Sequence, residues 1–174
     1  FLTDRPLVYI SLGTINNTDI DFFTQCLTAF RDIPANFVMS IGNQLKTDNL
    51  GTIPENFIIR NFVHQLELLK HTHIFITHGG MNSVQESLLE SVPMMVVPQQ
   101  VEQQIVANQI KKSEAGIVVG SKISVNGLKS GLQLMLEDHA KFKENAEKLG
   151  TTLKDSGGTS RAVDEILAYC QSKT

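Results

Sequence analysis

A chain of 174 residues with 41% hydrophobic and 19% charged residues is long enough for one domain with its own core, and too apolar to be disordered. A formal net charge of −3 lacks the basic excess that a nucleic acid or an anionic membrane surface requires, and no apolar run approaches the roughly 20 residues of a membrane span. Cys26 and Cys170, far apart and without a CxxC spacing, set aside a disulfide framework and a thiolate metal site and point to a reducing, cytoplasmic compartment. The chain begins at Phe1 without a signal-peptide pattern and reads as an internal fragment, with further protein upstream.

In chain order, short apolar β-rich runs alternate with helical patterns. Residues 7–12 predict a strand, followed by Gly13-Thr14. Residues 19–31 predict a helix with Phe22, Phe23, Cys26, Leu27 and Phe30 on its buried side. A second strand covers 36–41, a polar loop 43–55 and a third strand 57–60. A short helix at 65–70 precedes a fourth strand at 73–77. The helix at 81–90 places Met81, Val84, Leu88 and Val92 on one face. A fifth strand at 94–97 lies between Pro93 and Pro98, followed by a helix at 101–114 and a sixth strand at 116–119. Three helices follow without a strand between them, at 124–137, 140–153 and 159–171. Ser124 is the expected N-cap of the first, and Gly157-Gly158 breaks the chain before the last.

Nearly continuous apolar strands alternating with helices predict an α/β fold, a doubly wound parallel six-stranded Rossmann-like sheet with helices on both faces. With the common strand order 3-2-1-4-5-6, ligands bind at the carboxyl ends of the strands, between the first and the fourth. Four segments fall at such ends: Gly13-Thr14, 61–65, His78-Gly79-Gly80 and 98–103.

The third carries the most chemistry. Two glycines let the backbone approach an anion, and the helix start that follows offers unpaired N–H groups and a positive dipole end. His78 adds a ring donor; Asn82 and Ser83 add side-chain donors in the first turn. Glu86 lies four residues after Asn82 on the same face, where a carboxylate suits ribose hydroxyls rather than phosphate. Together they describe a nucleoside diphosphate site that needs no metal. Each residue also has a plainer reading: a tight turn, a cap from Asn82 or Ser83, a satisfied histidine and a solvated glutamate. Gly13-Thr14 reads as a weak phosphate loop or a capped turn, since neither GxGxxG nor a Walker pattern is present. Phe62 can stack on a base or sit in the core. Glu102 and Gln103 suit sugar hydroxyls or an ordinary first helical turn.

The stretch HGGMNSVQESLLESVPMMVVPQQVEQ resembles the donor-binding signature of family 1 glycosyltransferases of the GT-B fold, most like the bacterial macrolide-glycosyltransferase branch that uses UDP-sugars. ISLGT, FVHQLELL and the terminal GGTSRAVDEI extend the resemblance over almost the whole chain, which is similar to the C-terminal, donor-binding half of such an enzyme. The resemblance implies one domain over residues 1–174, with the N-terminal acceptor domain absent from this chain. It implies that Phe62 stacks on the uracil while the Val63 backbone reads its edge, and that Gln65 and Glu86 hold the ribose. Gly13, Thr14, His78, Gly80, Asn82 and Ser83 would hold the diphosphate, and Glu102 and Gln103 the transferred hexose. It implies no cofactor and no metal. The family inverts at the anomeric carbon with a histidine base in the N-terminal domain, to which none of the five histidines here corresponds.

The sequence departs from the pattern at four places: Phe62 stands for tryptophan, His64 for proline, Glu102 for aspartate, and Ser91 for glycine at a left-handed helix end. The leading expectation is the donor-binding domain of an inverting UDP-sugar glycosyltransferase acting on a small hydrophobic hydroxyl compound, inactive in isolation. Rivals are a stand-alone donor-binding subunit of a two-chain UDP-N-acetylglucosamine transferase, a UDP-sugar epimerase and a non-catalytic nucleotide-binding module.

Overall fold

The alternation of strands and helices is realised in a computed structural model that describes residues 4–13, 19–120 and 123–172. Strands β1 (Leu7–Ser11), β2 (Asn36–Ser40), β3 (Phe57–Arg60), β4 (Ile74–Thr77), β5 (Met94–Val96) and β6 (Gly116–Val118) pair in parallel in the order β3-β2-β1-β4-β5-β6. Helices α1 (Ile20–Phe30), α2 (Gln65–Leu69), α3 (Met81–Leu89) and α4 (Val101–Lys112) make the crossovers, and α5 (Val125–Glu137), α6 (His139–Asp155) and α7 (Gly158–Gln171) follow the sheet. The polar stretch before β3 contains one 3-10 turn, Thr47–Leu50, which anchors itself by burying Leu50.

The strands are mostly apolar because helices cover both faces of the sheet, with polar residues such as Ser11, Ser40, Arg60 and Thr77 at their carboxyl ends. Side chains alternate between two cores. Val8, Ile10, Ile74, Ile76, Met95 and Val97 pack into one with α1 and α5, where Cys26, Phe30, Leu128 and Leu132 lie. Tyr9, Phe75, Met94 and Val96 pack into the other with Leu69 of α2, Val84 and Leu88 of α3, and Ala107 and Ile110 of α4. Helix α6 reaches both, through Phe142 and Ala146.

Local chemistry ends the elements where expected. The Asp19 carboxylate accepts from the Phe22 N–H at 2.9 Å and starts α1. The Ser124 hydroxyl accepts from the Gly127 N–H at 3.1 Å and starts α5. Ser91 holds φ 57 just past α3, a left-handed conformation that costs a non-glycine residue roughly 1–2 kcal/mol. Three bonds compensate: Ser91 N–H to the Leu88 carbonyl, Val92 N–H to the Ser87 carbonyl, and the buried Ser87 hydroxyl to the Val92 carbonyl, each at 2.9 Å.

One feature corrects the periodicity reading, and one helix stands apart from the core. Met81 is not on the buried face of α3 with Val84, Leu88 and Val92; it is 54% exposed, because the first turn of the helix overhangs the carboxyl ends of the strands. Helix α7 has an apolar stripe but buries none of its residues, and Val163, Ile166 and Leu167 stay exposed.

Candidate functional site

Because β1 and β4 are neighbours at the centre of the sheet, the segments after them meet. Gly13, at φ 83, and Gly80 both lie against the Cε1–Nε2 edge of the His78 imidazole. A Cβ at Gly13 would stand 2.7 Å from His78 Cε1, and one at Gly80 would stand 2.5 Å from Nε2. The two glycines are therefore the seat of this ring. Burial pulls the His78 pKa below the ordinary histidine value, so the ring is neutral at pH 7 and carries a single N–H. Its Nδ1 is buried and makes no hydrogen bond to the protein.

The start of α3 adjoins the ring. Its N-cap is Gly80 with no side-chain cap, its first turn holds no acid, and its first bond runs from the Val84 N–H to the Gly80 carbonyl at 3.0 Å. The N–H groups of Met81, Asn82 and Ser83 thus have no partner within the helix, and the dipole end is positive. Asn82 and Ser83 do not cap the helix. The Ser83 hydroxyl instead accepts from Gln65 Nε2 at 3.3 Å.

One turn further along α3, Glu86 is half-buried. Its Oε2 accepts from Gln65 Nε2 at 2.6 Å, while Gln65 Oε1 accepts from the Tyr9 hydroxyl at 3.1 Å. The Gln65 amide is engaged at both ends, which leaves Glu86 Oε1 outside this chain of bonds.

The loop from β3 to α2 forms the adjacent wall. Asn61 Nδ2 donates to the Gly42 and Leu45 carbonyls at 2.6 and 3.1 Å, tying the loop to the one after β2. Phe62 is 66% exposed, so it is not core; its ring meets the His64 ring edge-on, with centroids 5.3 Å apart. Val63 packs its side chain on the second core.

The fourth segment opens α4 on the far side. Glu102 is exposed. Gln103 is buried, and its Oε1 accepts from the Gln99 and Gln100 N–H groups at 2.8 and 3.2 Å in a capping box. Its acceptor end is therefore taken by the loop, and only its amide hydrogens remain for other partners.

Every sequence candidate within the described residues lines one cleft of about 1030 Å³ at the switch point: Gly13, Phe62, Val63, Gln65, His78, Gly80, Asn82, Ser83, Glu86, Glu102 and Gln103. Thr14 lies outside the described residues. Sequence reasoning missed Tyr9, Ser11 and Ser40, which form the floor of the same cleft. The signal was there: a tyrosine inside an apolar strand needs a partner for its hydroxyl.

Comparison with known proteins places this cleft in context. A family model described as UDP-glucoronosyl and UDP-glucosyl transferase matches residues 3–160. The uncharacterized UDP-glucosyltransferase YojK of Bacillus subtilis (strain 168) is 41% identical over 174 residues, covering 99% of this chain and 43% of that protein. The NDP-glycosyltransferase YjiC of the same organism is 37% identical, over 95% of this chain and 42% of its own length. Among solved structures, the calicheamicin glycosyltransferase CalG4 superposes with a TM-score of 0.89 at 28% identity, over 98% of this chain and 45% of that one. The fold is the Rossmann-like half of a GT-B glycosyltransferase, and the chain spans less than half the length of each of these proteins.

Proposed function

This chain belongs to the UDP-glucoronosyl and UDP-glucosyl transferase family, and from that premise we propose that it is the donor-binding domain of an inverting glycosyltransferase, one that moves a hexose from a UDP-sugar to a hydroxyl of a small hydrophobic acceptor. The observation that carries the reading is the His78 ring, seated against Gly13 and Gly80 beside the uncapped start of α3. A neutral imidazole and three free helix N–H groups suit a diphosphate, whose oxygens accept and do not donate.

In this reading the donor runs along the carboxyl edge of the sheet. Phe62 stacks on the uracil and the Val63 backbone reads its edge. Glu86 accepts from the ribose, with Gln65 beside it. Gly13, Thr14, Gly80, Asn82 and Ser83 hold the diphosphate with His78, and Glu102 with the amide of Gln103 holds the hexose. The acceptor oxygen attacks the anomeric carbon as its bond to the β-phosphate oxygen breaks. The acceptor proton passes to a histidine base on an N-terminal acceptor domain. The charge that develops on the departing diphosphate is met by the α3 amides and His78. The share of the relatives' length that this chain spans supports a separate acceptor domain, as does the uncovered stripe on α7. The calicheamicin enzyme supports a small-molecule acceptor.

Two further points belong to the reading. In this reading the diphosphate is held without a metal ion, its charge met by His78 and the start of α3. No helix among the described residues is long and apolar enough to cross a membrane, and with both cysteines outside any disulfide the chain suits the cytoplasm.

The test uses one preparation of the chain. UDP-hexose is expected to bind with equal affinity in EDTA and in Mg²⁺, and no sugar is expected to reach an acceptor. Binding that requires Mg²⁺ or Mn²⁺ sinks the metal-free site. Transfer by the chain alone would place a base within these residues and overturn the division of labour. Absence of binding to any nucleoside diphosphate would leave a non-catalytic module.

A further inference from the structure

Tyr9 lies in the middle of β1, 2% exposed, with its ring stacked on Phe75 at 4.6 Å and the two planes 4° apart. Strand and stack together fix the ring, so its hydroxyl reaches the floor of the cleft at a set point. There it donates to Gln65 Oε1, with the Ser11 and Ser40 hydroxyls beside it. Burial pushes the phenol up to about 12, so it keeps its proton at neutral pH.

An amide has one end that accepts and one that donates. With Oε1 turned to the Tyr9 hydroxyl, Nε2 faces Glu86 Oε2 at 2.6 Å and Ser83 Oγ at 3.3 Å. The reversed amide would press its oxygen against the Glu86 carboxylate, two acceptors in contact. The Glu86 carboxylate, which only accepts, sets the sense of the amide, and the Tyr9 hydroxyl, donating to Oε1, holds the other end of the amide so that Nε2 anchors one oxygen of the carboxylate. Anchored there, Glu86 presents its other oxygen at a fixed place. An ionised carboxylate only accepts, so it gains from each sugar O–H and gains nothing from a C–H.

Resting on the reading of this cleft as a nucleoside diphosphate site, we infer that Tyr9 is a positioning residue: through Gln65 it holds Glu86 in the orientation that selects a ribose over a 2′-deoxyribose. Without the hydroxyl, the amide loses its second hold and the carboxylate is anchored to a looser partner. The diol then meets an acceptor that must first be ordered, and the preference for it falls. The relay meets the diphosphate residues only through the 3.3 Å contact from Gln65 to Ser83, which UDP and 2′-deoxy-UDP share, so the difference between the two nucleotides reads the sugar alone.

Calorimetric titration of the native chain and of Tyr9→Phe with UDP and with 2′-deoxy-UDP tests this. Tyr9→Phe keeps the stack on Phe75 and removes one oxygen. The native chain is expected to prefer UDP. In Tyr9→Phe the affinity for UDP should fall roughly three- to tenfold while that for 2′-deoxy-UDP barely moves, so the ratio of the two approaches one. Gln65→Leu removes the middle of the relay together with the side chain beside the ribose and should collapse the ratio at least as far, while Tyr9→Phe, with its melting temperature measured alongside, carries the assignment to Tyr9. A ratio in the variants equal to the native one overturns the inference, as does a native chain that binds both nucleotides equally. A native chain that binds neither overturns the nucleotide reading itself.

Discussion

His78→Ala is expected to weaken binding of UDP roughly tenfold to a hundredfold and to leave binding of uridine nearly unchanged. A hydrogen bond to a charged group is worth about 1.5–3 kcal/mol, and this one is made by a neutral ring held in place by Gly13 and Gly80 rather than by a mobile side chain. The difference between the two ligands is the diphosphate, so the loss must appear in one titration and not in the other. The ring also fills space between two loops, so the melting temperature is measured alongside. An equal loss for UDP and uridine would make His78 a structural residue.

Phe62→Ala divides the ligands differently. Stacking of a base on an aromatic is worth about 1–3 kcal/mol, and both UDP and uridine carry the base. Both affinities are expected to fall by the same factor, roughly fivefold to a hundredfold, and Phe62→Trp should restore them. Phe62 is 66% exposed, so the melting temperature should hardly move. A clear drop in stability with affinity unchanged would mean that the ring supports the loop, through its edge contact with His64, and not the base.

The sheet was legible because its central strands β1, β4 and β5 are buried on both faces, and the sequence writes that as short continuous apolar runs between turn residues. The strand order was the common one for this fold and not read from particular residues, and the switch point followed from it. The candidates at the carboxyl ends of strands came together for that reason alone. What the sequence hid is what side chains do to one another. Gln103 looked available for a sugar, but three residues before it Gln100 begins the helix, and the Gln103 carbonyl closes the cap. Met81 fits the apolar period of α3, yet periodicity does not say which residues of a first turn overhang a cleft. The stripe on α7 is likewise readable, while whether anything covers it is not a property of the stripe. Tyr9 was passed over as one more strand residue because its hydroxyl finds Gln65 across 56 positions of sequence.

The central claim is that a UDP-sugar lies across the switch point with its diphosphate at the start of α3. The most direct measurement is the change in backbone amide NMR signals of the native chain as UDP is added. The account predicts saturable shifts largest at the amides of Met81, Asn82 and Ser83 and at Gly13, with smaller ones at Phe62 and Val63. The chain has a second cleft of about 320 Å³ at the opposite end of the strands, where Lys70 and Lys143 stand with Glu90, His71, His73 and His139, and a polyanion could also settle there. Shifts confined to that cluster, or no saturable shift at the start of α3, would contradict the account.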